Sequence, residues 1–171
     1  MKNYCHLCGA KYLQGKTNPQ ECSSCGNLSF ENSIPCAEIA LFDDRGRVLL
    51  AVRGEEPNKG KYDLPGGFVI YGETVETALH REIKEELGLD VQDYETPQFC
   101  SSWTFDYPFS RESYNTLSLT FASKLKTTDK IVASDDVSEV EFFDISELDS
   151  LEFSWSGYPE LIRKAHAQLF G

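Results

Sequence analysis

The stretch from Gly67 to Leu89 reads GFVIYGETVETALHREIKEELGL, and its pattern predicts a turn followed by one amphipathic helix. Thr74 is a good N-terminal cap, and no Gly or Pro follows until Gly88, so the helix is expected between these two residues. An apolar side chain recurs every four positions, which predicts a stripe that packs on the core. The stripe consists of Val75, Leu79, Ile83 and Leu87.

Three glutamates share a neighbouring face of this helix. Glu82, Glu85 and Glu86 lie three and four residues apart, so their like charges would repel and partly protonate without a counter-charge. A hard divalent cation, Mg²⁺ or Mn²⁺, supplies that charge, and the Gly66-Gly67 turn can offer the Gly66 carbonyl as a further ligand. The alternative is a solvated acidic face, which is disfavoured because the glutamates are not regularly paired with lysines.

Nine fixed positions over these 23 residues match a known motif. The segment resembles the Nudix box of hydrolases that cleave a nucleoside diphosphate linked to another group. The resemblance covers roughly residues 35–150 and implies an α/β/α sandwich with a mixed β-sheet, which the alternation of strands and helices also favours. It implies that Glu82, Glu85, Glu86 and the Gly66 carbonyl hold the metal, that Glu82 activates water, and that Arg81 and Glu73 brace the loop. The spacing leaves open which glutamate is the base.

Bulk properties restrict the class of partner. A chain of 171 residues allows one domain, or one domain and a small module. A net charge of −12 argues against nucleic acid and membrane surfaces as partners and favours a small-molecule nucleotide held through local positive charge. No apolar run approaches a membrane span, and MKNYCHLCGA is not a signal peptide, so a cytoplasmic location is expected.

Two Cys-x2-Cys pairs near the N-terminus predict a structural Zn²⁺ site of the zinc-ribbon type. Each pair is followed by a glycine, as a tight turn around a metal requires. The alternative of two disulfides is disfavoured by the expected reducing compartment. We therefore predict a zinc ribbon over residues 1–32 and a Nudix domain over 33–171. The predicted zinc ligands are Cys5, Cys8, Cys22 and Cys25, whereas Cys36 and Cys100 are expected to be small buried apolar residues.

The rest of the chain supplies the expected sheet. Strands are predicted at 36–42, 47–53, 99–107, 116–124 and 139–143, with a hairpin turn at 43–46 and a polar loop at 54–63. A short helical turn is predicted at 145–148 and a closing helix at 159–170.

Other candidate residues lie outside the box. Glu139 precedes an aromatic strand, and the resemblance implies that an acid there completes the metal site, with Asp136 or Glu141 as substitutes. Arg53 ends a strand and is expected to contact phosphate oxygens, as Lys59 and Lys61 could from the following loop.

Alternating aromatic residues form the remaining candidate. Trp103, Phe105, Tyr107 and Phe109 share one face of a strand, either as sheet core or as a wall that stacks on a base or nicotinamide ring. A ribbon before a Nudix domain resembles NADH pyrophosphatases, which carry Ser-Gln-Pro-Trp-Pro-Phe-Pro at this place. This chain has SSWTFDYPF, without the Gln and the Pro-Trp-Pro core.

The expected function is therefore a Mg²⁺- or Mn²⁺-dependent pyrophosphohydrolase that acts on a dinucleotide such as NAD(H). ADP-ribose or another nucleoside diphosphate sugar is the alternative substrate. A non-catalytic nucleotide- or RNA-binding module is the alternative of another class, and the intact set of box carboxylates argues against it. The resemblance also leaves a homodimer as one option for the assembly.

Overall fold

The computed structural model describes residues 3–12 and 18–171 and divides the chain into two compact units, Met1–Ser33 and Ile34–Gly171. The first unit contains two short antiparallel strands, β1 (Gln20–Glu21) and β2 (Leu28–Ser29). Among the described residues of this unit, Cys5, Tyr12 and Cys22 are buried. So small an apolar cluster gives little stability on its own, which is why such modules depend on a metal.

The second unit is built on a mixed sheet. Its strands are β3 (Ile34–Phe42), β4 (Val48–Arg53), β5 (Tyr62–Asp63), β6 (Gly66–Phe68), β7 (Gln98–Phe109), β8 (Glu112–Lys124) and β9 (Val137–Phe143). The main path runs β5-β4-β3-β8-β7, while β6 pairs with β3 and β9 pairs with β4. The β3–β8 pair is parallel and the others are antiparallel.

Two helices cover the sheet, α1 (Val75–Leu87) and α2 (Tyr158–Phe170). Strand β3 is buried on both faces: Ile39 and Leu41 pack in one core cluster with α1, while Ala40 and Phe42 pack in another with α2. Burial on both faces explains why this strand reads as a continuous apolar run. The α/β/α sandwich with a mixed sheet is thereby confirmed.

Some predicted boundaries differ from the structure. The segment 54–63, predicted as loop, ends in β5, and the Gly-Gly turn is part of strand β6. The hairpin β7–β8 continues beyond the predicted ends, and on β8 the added residues 112–115 read ESYN, which has no apolar alternation. The short helical turn predicted at 145–148 is a 3₁₀ turn at Leu148–Ser150. Within residues 3–12 and 18–171 there is no helix with the length and apolarity that a membrane crossing requires.

Candidate active site and cysteine cluster

Helix α1 presents the box carboxylates from a well-capped frame. The Thr74 hydroxyl accepts a hydrogen bond from Thr77 N at 3.2 Å, and Gly88 ends the helix with a left-handed φ of 71°. Glu82 and Glu86 are 9% and 5% exposed, whereas Glu85 lies on the exposed side. The predicted trio therefore divides into two buried acids and one exposed acid.

The glycine pair before the helix is required by close contacts. A Cβ on Gly66 would collide with Ala37 O and would lie 2.5 Å from Glu38 Cα, and a Cβ on Gly67 would collide with the Glu82 carboxylate. Gly66 also has a φ of 145° and donates its N–H to Glu86 Oε2 at 2.9 Å. The absence of side chains in β6 thus allows the helix carboxylates to reach the strand backbone.

Arg81 holds the box together. Its guanidinium donates to both Glu73 oxygens at 2.8 and 3.0 Å and to Phe68 O at 3.0 Å. Its Nη1 also pairs with Glu82 at 2.7 Å and with Glu85 at 2.9 Å. These bonds raise the pKa of Arg81 and, in return, lower the pKa of Glu73. Arg81 and Glu73 therefore have the contacts that a bracing role requires.

A loop from the far end of the chain adds another acid. Ser134 N donates to Glu86 O at 3.0 Å and Gly54 N donates to Asp136 O at 2.6 Å, so the loop is fixed against α1 and β4. Asp136 consequently lines the same cavity as Glu82 and Glu86. The three carboxylates come from segments 50 residues apart.

Glu139 is placed elsewhere. Its side chain is exposed, its backbone pairs with Val52, and within residues 3–12 and 18–171 it is not among the residues that line the cavity. The other substitute, Glu141, accepts a hydrogen bond from the Tyr62 hydroxyl at 2.8 Å. The structure thus brings Asp136, and not Glu139, to the box carboxylates. The reason is local geometry: the register of β4 and β9 shifts between Val52 and Arg53.

The carboxylates lack a full counter-charge. Burial raises the pKa of Glu86 well above its usual range, and the nearby Asp136 and Glu82 charges raise it further. Burial also raises the pKa of Glu82, against the opposing effect of Arg81. Carboxylates that line one cavity with excess negative charge are the ligand type that a hard divalent cation prefers, although among the described residues only the four cysteines already have their ligand atoms within 4.8 Å of one another. Glu82, Glu86, Asp136 and a backbone oxygen of Gly66 are the groups that could hold such a cation.

These acids open into a cavity of about 260 Å³ that has two chemically different linings. One is charged, and the other is aromatic. The charged lining includes Arg53, Asp63, Arg81, Glu82, Glu86, Asp135 and Asp136, and the aromatic lining includes Phe68, Phe105, Tyr107, Trp155 and Tyr158. An anionic group and a planar ring of one ligand can therefore be held in the same space.

Arg53 lies in the charged lining, as the sequence predicts, but much of its guanidinium is already engaged. It pairs with Asp63 at 2.8 Å and donates to Pro57 O at 2.7 Å and to the Tyr107 hydroxyl at 3.3 Å. Lys59 and Lys61 are not among the cavity-lining residues of the described segments.

The aromatic residues of β7 have different surroundings. Phe105 contacts Trp155 with ring centroids 4.5 Å apart, and Tyr107 contacts Phe68 at 5.3 Å, all four lining the cavity. Trp103 instead packs in the core cluster of α2. Phe109, at the end of the strand, is 58% exposed. The aromatic run thus divides between the core and the cavity, and a stacking role for Phe105 and Tyr107 stays a prediction.

Sequence reasoning missed several residues of the cavity, of which four are important for its chemistry. Glu38 and Asp63 are buried acids, and Phe68 and Trp155 are aromatic walls. Glu38 could have been noticed as the lone acid in the apolar run CAEIALF, and Asp63 as the acid directly before LPGG. Trp155 has no local pattern that marks it.

The four predicted zinc ligands form a cluster in the N-terminal unit. The sulfur atoms of Cys5, Cys8, Cys22 and Cys25 all lie within 4.8 Å of one another. The Cys5–Cys25 and Cys8–Cys22 sulfur distances are 3.8 and 3.6 Å. Four thiolates around Zn²⁺ at about 2.3 Å give edges of about 3.8 Å in a tetrahedron, so the spacing fits that ion.

The two Cys-x2-Cys-Gly turns of the cluster, called knuckles below, have the same backbone hydrogen bond. Gly9 N donates to Cys5 O at 2.9 Å and Gly26 N to Cys22 O at 2.8 Å, each glycine with a φ near 70°. All six cysteines of the chain lie in the described segments and are free thiols. The alternative of disulfides between the pairs is therefore not the arrangement in the structure.

Comparison with known families decides the class of this fold. Residues 34–165 match the family described as NUDIX domain. The chain belongs to this family.

The similar curated proteins include an "ADP-ribose pyrophosphatase" from Methanocaldococcus jannaschii, 37% identical over 114 residues that cover 66% of this chain and 63% of the relative. They also include an "NAD-capped RNA hydrolase NudC" from Chromobacterium violaceum, 31% identical over 146 residues that cover 85% of this chain and 51% of the relative. The chain thus spans about half to under two thirds of the length of these Nudix relatives.

Solved structures agree on the fold. A NUDIX hydrolase from Nitrosomonas europaea has a TM-score of 0.68 at 21% identity, and the match covers 98% of this chain and 92% of that one. The NUDIX domain of Shewanella oneidensis NrtR, complexed with ADP ribose, has a TM-score of 0.65 at 19% identity over 82% and 90% of the two chains. At these identities the likeness concerns the fold alone.

Proposed function

We propose that this Nudix protein is a Mg²⁺- or Mn²⁺-dependent pyrophosphohydrolase acting on a dinucleotide such as NAD(H). The observation that carries the proposal is the single cavity that joins three clustered carboxylates to an aromatic wall. A pyrophosphate has four oxygens that need positive charge, and a ring attached to it needs a flat apolar surface. The cavity offers both at once.

The proposed metal ligands are Glu82, Glu86, Asp136 and the Gly66 carbonyl, with Glu85 at the exposed edge of the site. Asp136 takes the place that the sequence assigned to Glu139. The bound cations would lower the pKa of the attacking water and neutralise charge on the bridging phosphates.

The chain's own residues would position the substrate and deprotonate the attacking water. Glu82 is our proposed base: Arg81 bonds its Oε1 at 2.7 Å, which fixes the carboxylate and leaves Oε2 to accept a proton from water. Arg53 would contact a phosphate oxygen beside its bond to Asp63, since a guanidinium has five N–H donors. Phe105 and Tyr107 would stack on the base or nicotinamide ring; Trp103 would support them from the core.

The substrate class rests on shared chemistry. NAD and ADP-ribose both contain adenosine diphosphate, and the relatives' names refer to these two groups. ADP-ribose or another nucleoside diphosphate sugar is therefore the second candidate substrate. The NudC names also raise NAD-capped RNA, although the net charge of −12 repels a polyanion. A non-catalytic nucleotide- or RNA-binding module would not need these acids.

For the cysteine cluster, we propose structural Zn²⁺, since four thiolates leave no open coordination position.

The test is direct hydrolysis. The full-length protein is incubated with NADH, ADP-ribose or a 5′-NAD-capped oligonucleotide, with Mg²⁺ or Mn²⁺, and nucleotide products are measured by chromatography. We expect AMP from NADH, and turnover that stops when the divalent cation is chelated. Absence of product from all three substrates with either metal would contradict the proposal.

A further inference from the structure

Glu38 is a buried carboxylate that the proposed chemistry does not use. It lies on the central strand β3, is 3% exposed and lines the cavity opposite Gly66 of strand β6. Carboxylates in such places are stable only when hydrogen bonds compensate for the lost hydration. Its contacts therefore indicate what the group is arranged to do.

Three side chains donate to Glu38 and fix its orientation. Trp103 Nε1 and the Thr120 hydroxyl both donate to Oε1, at 2.9 and 2.6 Å, and the Tyr158 hydroxyl donates to Oε2 at 3.1 Å. The Ser118 hydroxyl is near enough to lower the pKa of Glu38, which burial raises, but it makes no hydrogen bond of ordinary geometry. Glu38 is thus held rigidly by donors that come from three different elements.

The two oxygens are not equally satisfied. A carboxylate oxygen accepts about two hydrogen bonds, so Oε1 is filled by Trp103 and Thr120, whereas Oε2 has one donor and one unfilled lone pair. Burial raises the pKa of the nearby Asp63, and the Tyr158 hydroxyl lowers it. One phenol proton cannot serve both acids. Glu38 Oε2 therefore accepts a hydrogen bond from Tyr158 alone among the described residues, and Glu38 lines the cavity.

The position of this acceptor relates it to the aromatic wall. Trp103, which bonds Glu38, contacts Phe105 with ring centroids 4.9 Å apart, and Phe105 contacts Trp155 at 4.5 Å. Glu38, Phe105 and Trp155 all line the same cavity, so a ring that stacks on Phe105 and Trp155 shares this cavity with Glu38. An –NH₂ group would fill the free lone pair, whereas a carboxylate or keto oxygen would face a second acceptor without a proton between them.

We propose that Glu38 is a specificity-determining residue that accepts a hydrogen bond from an uncharged –NH₂ group on the planar ring of the substrate. The chemical class is a ring with a primary amide or an exocyclic amine. The inference rests on the proposed function and makes it narrower, since it states which ring substituent the cavity selects. In a dinucleotide, the group is either the carboxamide of nicotinamide or the amine of adenine.

The experiment measures binding to the Glu86→Gln variant, which keeps the dinucleotide from being consumed, by quenching of the fluorescence of Trp103 and Trp155. One pair of ligands is NAD⁺ and its nicotinic acid analogue, in which the amide is a carboxylate. The other pair is NAD⁺ and its hypoxanthine analogue, in which the adenine amine is a keto oxygen. We expect a preference for –NH₂ of about ten- to hundredfold within one pair, and that pair identifies the group.

Variants then assign the preference to Glu38. In Glu38→Gln the amide oxygen can still accept from Trp103 and Thr120, but its NH₂ replaces the free acceptor, so the preference should fall to within about threefold. Glu152→Gln, the same change at an exposed acid outside the cavity, should keep it. If Glu38→Gln does not fold, Tyr158→Phe, which removes the one donor to Oε2, should increase the preference, and an unchanged preference would overturn the proposal.

Equal affinities within both pairs, no binding of any ligand, or an unchanged preference in Glu38→Gln would overturn the proposal. Hydrolysis of NADH by the wild-type protein is measured in parallel. Hydrolysis without ring discrimination would refute the role of Glu38 and leave the proposed function intact. Ring discrimination without hydrolysis would support the role of Glu38 and refute the proposed hydrolase function.

Discussion

The two candidate metal sites of this protein are built in different ways. The cysteine cluster comes from a short segment in which two Cys-x2-Cys knuckles repeat the same backbone hydrogen bonds. The carboxylate site combines side chains from a helix and from a loop about 50 residues further along the chain with the backbone of strand β6 at Gly66. The first site can be read from spacing alone, whereas the second depends on the register of a sheet.

This difference has an electrostatic counterpart. In the cysteine cluster, a bound metal would be needed to stabilise the fold, because the described part of the unit has few buried apolar residues besides its cysteines. In the carboxylate site, a large core already holds the fold, and the acids are forced together against their own repulsion. Metal removal should therefore unfold the first unit. The second unit should stay folded, but its buried carboxylates would then repel one another without a counter-charge.

The largest expected effect is at the cysteine cluster. Zinc binding to such sites contributes about 10–16 kcal/mol, so Cys22→Ser or strong chelation should abolish the structure of the N-terminal unit. Metal analysis should find one Zn²⁺ per chain in the wild-type protein and none in the variant, and amide exchange should accelerate across 3–12 and 18–33 alone.

Cys100→Ser is the matched control, since Cys100 is a buried thiol of the other unit. It should retain one Zn²⁺ per chain. A reduced wild-type sample that contains no zinc would contradict the assignment of the cysteine cluster as a metal site.

The next effect concerns the carboxylates. Glu86→Gln and Asp136→Asn each remove one charge from the proposed ligand set, so turnover should fall by about three orders of magnitude, or about 4 kcal/mol. Glu139→Gln should change turnover by less than about threefold, because Glu139 is exposed outside the cavity. Steady-state rates at saturating Mg²⁺ measure this, and the reverse order for Asp136 and Glu139 would restore the assignment made from sequence.

The strain at Glu86 also predicts a pH dependence of stability in the metal-free protein. Burial raises its pKa, so the folded protein binds more protons than the unfolded chain, where a glutamate has a pKa of about 4.3. This contribution is present below that value and is lost as the pH rises towards the folded pKa. Melting temperatures across this range should fall more steeply for wild type than for Glu86→Gln, and parallel curves would argue against strain.

The smallest effect separates the aromatic residues of β7. Phe105→Ala should weaken dinucleotide binding by about 1–3 kcal/mol with little loss of stability, because Phe105 lines the cavity. Trp103→Ala should cost about 3–5 kcal/mol of stability, because Trp103 packs in the core. Phe109→Ala, on the same strand face but 58% exposed, is the control for both. Melting temperatures are compared with ligand affinities, and similar losses from Phe105→Ala and Phe109→Ala would remove the stacking role.

The sequence by itself determined the features that obey local rules. The caps at Thr74 and Gly88, the stripe of α1 and the two cysteine knuckles depend on residues within a few positions of one another, and the structure has them where the pattern predicts. The nine-position box likewise predicted the family and the sandwich. These features needed no knowledge of the sheet.

Tertiary structure alone decided which distant residues share the cavity. Asp136, in the loop before β9, lines the cavity with Glu82 and Glu86, whereas Glu139 is exposed and pairs with Val52 beside a register shift. The parallel pairing of β3 with β8 sets Thr120 opposite Glu38. Sheet register is fixed by packing between strands far apart in sequence, and a shift of one residue reverses every side chain. For that physical reason the ligand types could be read from the sequence, while the choice of Asp136 over Glu139, the division of the aromatic run and the place of Glu38 in the cavity could not.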